Sequence, residues 1–166
     1  MEVRYEKTWY LPIFVVTNVN KSEKIRLVWD AAAKSNGVSL NDFIMTGPDL
    51  FNSLVEILLN FRVGMTAKFG DISEMFHRVN VRESDMHAQR FLWYDEGDKM
   101  YQPSVFVMRA LTFGISCAPC IAHFIRDKNA EQFKDKHHRA VEAIQKNHYV
   151  DDFIDRIEQG LAVFVT

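Results

Sequence analysis

Two aspartates stand side by side in an otherwise aromatic and apolar stretch, Asn147-His148-Tyr149-Val150-Asp151-Asp152-Phe153-Ile154, and nothing else in the chain narrows its folding options as much. Neighbouring side chains of a strand project to opposite faces, and aspartate disfavours β structure, so an unbroken strand through this stretch would be poorly stabilised. A tight turn removes the conflict. The flanking residues then read as the arms of a hairpin whose tip carries Asp151 and Asp152. Both carboxylates can approach one ion from such a tip, and two close carboxylates repel unless a cation offsets their charge. A third acid, Asp71, lies in a second apolar segment far upstream. Three carboxylates are hard oxygen donors of the kind that suit Mg2+. For the pair taken alone, a solvated acidic turn is the plain alternative, because aspartate is common in turns.

The chain has 166 residues, of which 48% are hydrophobic and 13% aromatic, the makeup of a globular domain with length for one substantial core. One folded unit is expected. No apolar run approaches the roughly 20 residues of a membrane span, and residues 1–7 are too charged for a signal-peptide core. No membrane partner and an intracellular location, cytoplasm or nucleus, are therefore expected. A net charge of −2 argues against a large footprint on duplex nucleic acid. Lys21, Lys24, Arg26 and Lys34 nevertheless concentrate in the N-terminal third and leave room for a local basic groove.

Residues 9–16 and 25–29 read as strands joined by an exposed turn at Asn18-Val19-Asn20-Lys21-Ser22. Gly47-Pro48-Asp49 marks a helix start, and Leu50, Phe51, Leu54, Ile57 and Leu58 recur at helical spacing, which predicts a helix over 48–60 with one buried stripe. Between 64 and 81 the expectation is a strand, then Asp71, then a helical turn. Residues 90–94 and 104–108 form a second predicted hairpin around Asp95-Glu96-Gly97-Asp98. A helix is expected over 116–133, with Ile121, Ala122, Phe124 and Ile125 facing inward, and a shorter one over 140–146. This order predicts an α+β fold, an antiparallel sheet with helices packed on one face plus an N-terminal β-hairpin. Such a sheet can bring Asp71 and Asp151 together.

Seven stretches carry a more specific signal: Trp9-Tyr10-Leu11-Pro12, Arg26-Leu27-Val28-Trp29-Asp30-Ala31-Ala32-Ala33-Lys34, Gly37-Val38-Ser39-Leu40-Asn41-Asp42, Asp71-Ile72-Ser73-Glu74-Met75-Phe76-His77, Ala88-Gln89-Arg90-Phe91-Leu92-Trp93, Thr112-Phe113-Gly114-Ile115-Ser116-Cys117-Ala118-Pro119 and His148-Tyr149-Val150-Asp151-Asp152. In order and interval they resemble the fingers and palm of the reverse transcriptase of BEL/Pao-class LTR retrotransposons, over most of residues 9–155. A lone Tyr-x-Asp-Asp is weak evidence, whereas the ordered set is specific.

The resemblance implies a single partial reverse transcriptase domain, fingers-like over about 9–45 and palm-like over about 46–160. It implies RNA- or DNA-templated DNA synthesis from a primer and dNTPs, with two Mg2+ (or Mn2+) ions at the attacking 3′ oxygen and the leaving pyrophosphate. On that resemblance Asp71, Asp151 and Asp152 are the catalytic acids and metal ligands, the first of the pair being the stronger partner, and Ile72 joins them at the metal. The backbone of Ile72, Ser73 and Glu74 would face the triphosphate, and Arg26 would contact the incoming phosphates through its planar guanidinium. Lys24 or Lys21 would add a second cation, with simple turn solubility as the alternative for both. Phe76 would lie under the sugar of the nucleotide, and burial in the core is the open alternative. Phe113 and Tyr149 would line the nucleotide site, and Gly114 would let the backbone approach the template.

Elements of this class continue into a thumb, a connection, an RNase H and an integrase, and these 166 residues carry no stretch resembling them. The expectation is a fragment of a longer retroelement polyprotein, and a catalytically inactive nucleic-acid-binding remnant of a mobile element is the rival reading. A second rival is zinc, held by Cys117, Cys120 and His123 with His137 or His138 as a fourth ligand.

Overall fold

The structure is a computed structural model that describes residues 7–18, 21–63, 66–94 and 102–157; for residues 18, 21–24 and 157 the description is of the backbone. In chain order the elements are β1 (Ile13–Asn18), β2 (Lys21–Trp29), α1 (Leu54–Phe61), β3 (Thr66–Asp71), α2 (Glu83–Met86), β4 (Arg90–Trp93), β5 (Ser104–Val107), α3 (Ala118–Glu131), α4 (Lys134–Lys146), β6 (His148–Tyr149) and β7 (Asp152–Ile157). The fold is α+β with antiparallel pairing and an N-terminal hairpin, as the sequence predicts. The chain divides into two compact units, each made of two stretches of sequence.

The first unit holds the described residues of Met1–Gly47 and Phe76–Ala118. Its β1 and β2 pair from Ile13 opposite Trp29 to Thr17 opposite Ile25, then slip by a bulge. The tip of that turn, at 19–20, lies outside the described residues, as does the predicted turn at 95–98. Strand β1 begins at Ile13 rather than at Trp9 because the preceding backbone is engaged elsewhere. The Leu11 N–H donates to the Arg90 carbonyl (2.8 Å), the Arg90 N–H donates to that of Trp9 (3.1 Å), and Pro12 has no N–H to offer. The second hairpin pairs Arg90 with Val107 through Trp93 with Ser104. Leu11, Trp29, Ala31, Val79, Leu111 and Ile115 form the apolar core here, with the Trp29 ring edge-on to Phe91.

The second unit holds the described residues of Pro48–Met75 and Pro119–Thr166. Its sheet has the order β3-β7-β6, all antiparallel, and α1 and α4 pack against it. Helix α1 starts later than its apolar spacing suggests, because Ser53 acts as its N-cap, accepting from the Glu56 N–H (3.3 Å), while the residues before it form no helix and the Phe51 N–H donates to the Asp49 side chain (2.9 Å). Of the predicted stripe, only Ile57 is fully buried. Helix α3 turns a different face inward from the one expected: Phe124 and Ile125 are exposed, whereas Ala122, His123, Arg126 and Ala130 are buried. The polar members are partnered in part, His123 Nε2 and Arg126 Nη1 being buried without a hydrogen-bond partner. His123, 1% exposed, places Nδ1 at 3.2 Å from the Leu50 carbonyl and its ring 4.7 Å from Phe51, and Arg126 pairs with Asp127. Helix α4 is longer than the predicted 140–146 and is interrupted at His137 (φ −137°, ψ 44°), so the sequence pattern registers only the part beyond the break.

Candidate metal centre

Strand β3 ends on Asp71 and β7 begins on Asp152, and the register between them runs without a slip from Thr66 opposite Ile157 to Asp71 opposite Asp152. On its other side Asp152 pairs with Tyr149, so a two-residue turn, Val150-Asp151, closes the hairpin between β6 and β7. The three acids therefore meet at one corner of the second unit. Each offers a carboxylate oxygen, and these oxygens all lie within 4.8 Å of one another. Asp71 and Asp152 are exposed and Asp151 is half-buried. Like charges directly opposite each other on antiparallel strands are destabilising, so the pairing of Asp71 with Asp152 opposes folding unless a cation joins them. An all-carboxylate oxygen donor set fits Mg2+ or Mn2+.

The turn is held under strain. Val150 has φ 60°, while Asp151 keeps a negative φ, which is the arrangement of a type II′ hairpin turn, whose first central position favours glycine. A β-branched residue there costs about 1–2 kcal/mol. From β3, the Ile72 N–H donates to the Asp151 carbonyl (3.0 Å), so Ile72 enters the corner through its backbone. Ser73 and Glu74 form the exposed turn that follows, Glu74 with φ 54°. Tyr149 is exposed, its ring 6.2 Å from that of Phe51. Beneath the hairpin, His148 is buried, its ring 4.9 Å from Phe153 and its Nδ1 at 2.9 Å from the Ile144 carbonyl. Burial holds the imidazoles of both His148 and His123 below the ordinary histidine value, and Arg126 adds to the effect on each.

The remaining predicted site residues belong to the first unit. Arg26 is exposed on β2, opposite Val16, and Lys24 is on the same strand. Phe76 is a core residue, 8% exposed, with its ring 4.6 Å from that of Phe113; Phe113 is 43% exposed and also meets His77. Gly114 has φ +91°, and a Cβ there would stand 2.7 Å from the Trp29 carbonyl oxygen. The close approach that this glycine permits is thus made to the chain's own backbone. Asn41 ties the same loop from outside, donating to the Gly114 carbonyl (3.0 Å) and accepting from the Ser116 N–H (2.9 Å).

Sequence reading passes over Asn41, and also Asn52, whose carboxamide donates to the Gln145 and His148 carbonyls in the second unit. Neither belongs to a local pattern that marks it, since the partners lie 73 or more residues away. Among the described residues the three aspartates are the one group of three or more candidate ligands within reach of a single ion. Cys117 and Cys120 are not joined in a disulfide, and His123 Nδ1 is engaged with Leu50. No helix among the described residues is long and apolar enough to cross a membrane. No protein-family model matches the chain, and comparison with curated proteins returns no match.

Proposed function

We propose that this chain is a reverse transcriptase segment of a BEL/Pao-class retrotransposon that extends a primer on an RNA or DNA template with dNTPs. The observation that carries the reading is the convergence of Asp71, Asp151 and Asp152, which lie far apart in sequence, with carboxylate oxygens within 4.8 Å of one another. The ordered sequence resemblance supplies the reaction. When bound, two divalent ions serve as Lewis acids for the attacking 3′ oxygen and the leaving pyrophosphate. The three carboxylates, with the backbone of Ile72, would hold those ions, and by the resemblance the backbone of Ser73 and Glu74 would face the triphosphate. By the resemblance Arg26 would contact the incoming phosphates through its planar guanidinium, and Lys24 or Lys21 would add a second cation. The resemblance assigns Phe113 and Tyr149 to the nucleotide, and within the first unit the Phe76 ring backs that of Phe113. The chain acts inside the cell as part of a longer polyprotein.

A primer-template extension assay with Mg2+ or Mn2+ tests this directly. Short, distributive synthesis is expected, falling at least about a hundredfold in Asp151→Asn, equal to roughly 2.7 kcal/mol of barrier. Extension that is unchanged in that variant rejects the site. Absence of any extension by the parent chain favours the inert remnant. Arg26→Ala is expected to raise the apparent KM for dNTP, and an unchanged KM removes Arg26 from the nucleotide site.

A further inference from the structure

We infer that Asn52 is a positioning residue that fixes the acid-bearing hairpin for metal binding, an inference that rests on the metal reading of the acid corner. The half-buried Asn52 side chain donates one amide hydrogen to the Gln145 carbonyl (2.9 Å) and one to the His148 carbonyl (3.0 Å), which uses both hydrogens the group possesses. Gln145 is in the last turn of α4, where carbonyls have no partner within the helix, and His148 is the first residue of β6. One side chain thereby joins the end of α4 to the start of the hairpin, just upstream of Asp151.

The hairpin needs such an anchor. Strand β6 is two residues long, its turn carries a strained Val150, and Asp71 and Asp152 are exposed, with little packing to hold them. Beyond the β3–β7 register and the His148 Nδ1 contact with the Ile144 carbonyl, the Ile72 N–H on the Asp151 carbonyl and Asn52 on the His148 carbonyl hold the backbone on either side of the turn. Asn52 is itself well held. The neighbouring Ser53 caps α1, and the Leu50 carbonyl accepts from His123. A group that holds the backbone of ligand-bearing residues in this way governs metal affinity beyond its share of stability.

Calorimetric titration of the full chain with Mn2+ tests the inference. Asn52→Leu keeps the approximate shape and removes both donors, and it is expected to weaken Mn2+ binding by about tenfold or more. Asn52→Ser keeps a single donor and is expected to fall between; it carries the test if the leucine variant does not fold. Ile125→Gly, at an exposed position in the middle of α3, serves as a control that lowers the thermal midpoint through helix propensity. Its Mn2+ affinity is expected to stay within about twofold of the parent. The inference is overturned if the Asn52 variants bind Mn2+ as the parent does, or if the control loses as much affinity for the same loss of thermal midpoint. A parent chain whose Mn2+ binding is absent or indifferent to Asp151→Asn overturns the acid-corner reading itself, and this is seen before any Asn52 variant is compared.

Discussion

The acid corner of the second unit and the Phe113 loop of the first are each tied by an asparagine reaching across the sequence, but their side chains face opposite ways. In the corner, the backbone of His148 and Asp151 takes the hydrogen bonds, and the carboxylates of Asp71 and Asp152 are left exposed. In the loop, the contacts run inward, although the Phe113 ring remains 43% exposed. Thr112 is fully buried with its hydroxyl on Gln89, Phe113 leans on Phe76, and Gly114 is wedged against Trp29. The difference separates chemistry from stability: substitutions in the corner should act on metal binding, and substitutions in the loop should act on folding.

The strongest expected break of that division on the stability side is Gly114→Ala. It imposes a left-handed conformation on a residue with a Cβ and drives that Cβ into the Trp29 carbonyl, at a cost of about 2–4 kcal/mol. Urea denaturation should register this, while Mn2+ affinity is unchanged; a variant as stable as the parent would remove the packing argument for the loop. A smaller effect is expected from pH. In the unfolded chain His123 and His148 titrate near 6.5, and burial lowers both in the folded state. Below 6.5 the unfolded chain therefore binds protons that the folded chain refuses, so stability should fall as pH drops from 6.5 and level off once the folded histidines also protonate. The urea midpoint measured at pH 8 and pH 5.5 checks the sign, and His123→Gln should flatten the dependence. The smallest effect is the most telling. Asp152→Asn removes a like-charge cross-strand pair and should stabilise the metal-free chain by about 0.2–1 kcal/mol, while weakening Mn2+ binding. A loss of stability in that variant would mean the acids are held by something other than a bound cation.

The sequence made the acid corner legible because its signal is a conflict: two aspartates where a strand wants apolar residues leave a turn as the economical solution, and Asp71 ends a strand that can reach it. The hairpins were legible for a similar reason, since alternation and turn residues are local. The start of α1 was not. Leu50 and Phe51 have helical spacing, yet the Leu50 carbonyl and the Phe51 ring serve His123, 73 residues on in the case of Leu50. The inward face of α3 was hidden for the matching reason, because an apolar count cannot anticipate a histidine whose partner is a distant carbonyl and an aromatic edge. The structural roles of Asn41 and Asn52 are not marked in the linear chain, being defined by backbone groups that only the fold brings near.

The site requires that Asp71, Asp151 and Asp152 hold a divalent cation, and the electron paramagnetic resonance signal of free Mn2+ during titration of the metal-free chain reads this most directly. The expected result is saturable binding by the parent that is lost in Asp71→Asn and in Asp151→Asn, with the folded structure of each variant retained. Binding of equal strength in parent and variants, or none in the parent, would contradict it.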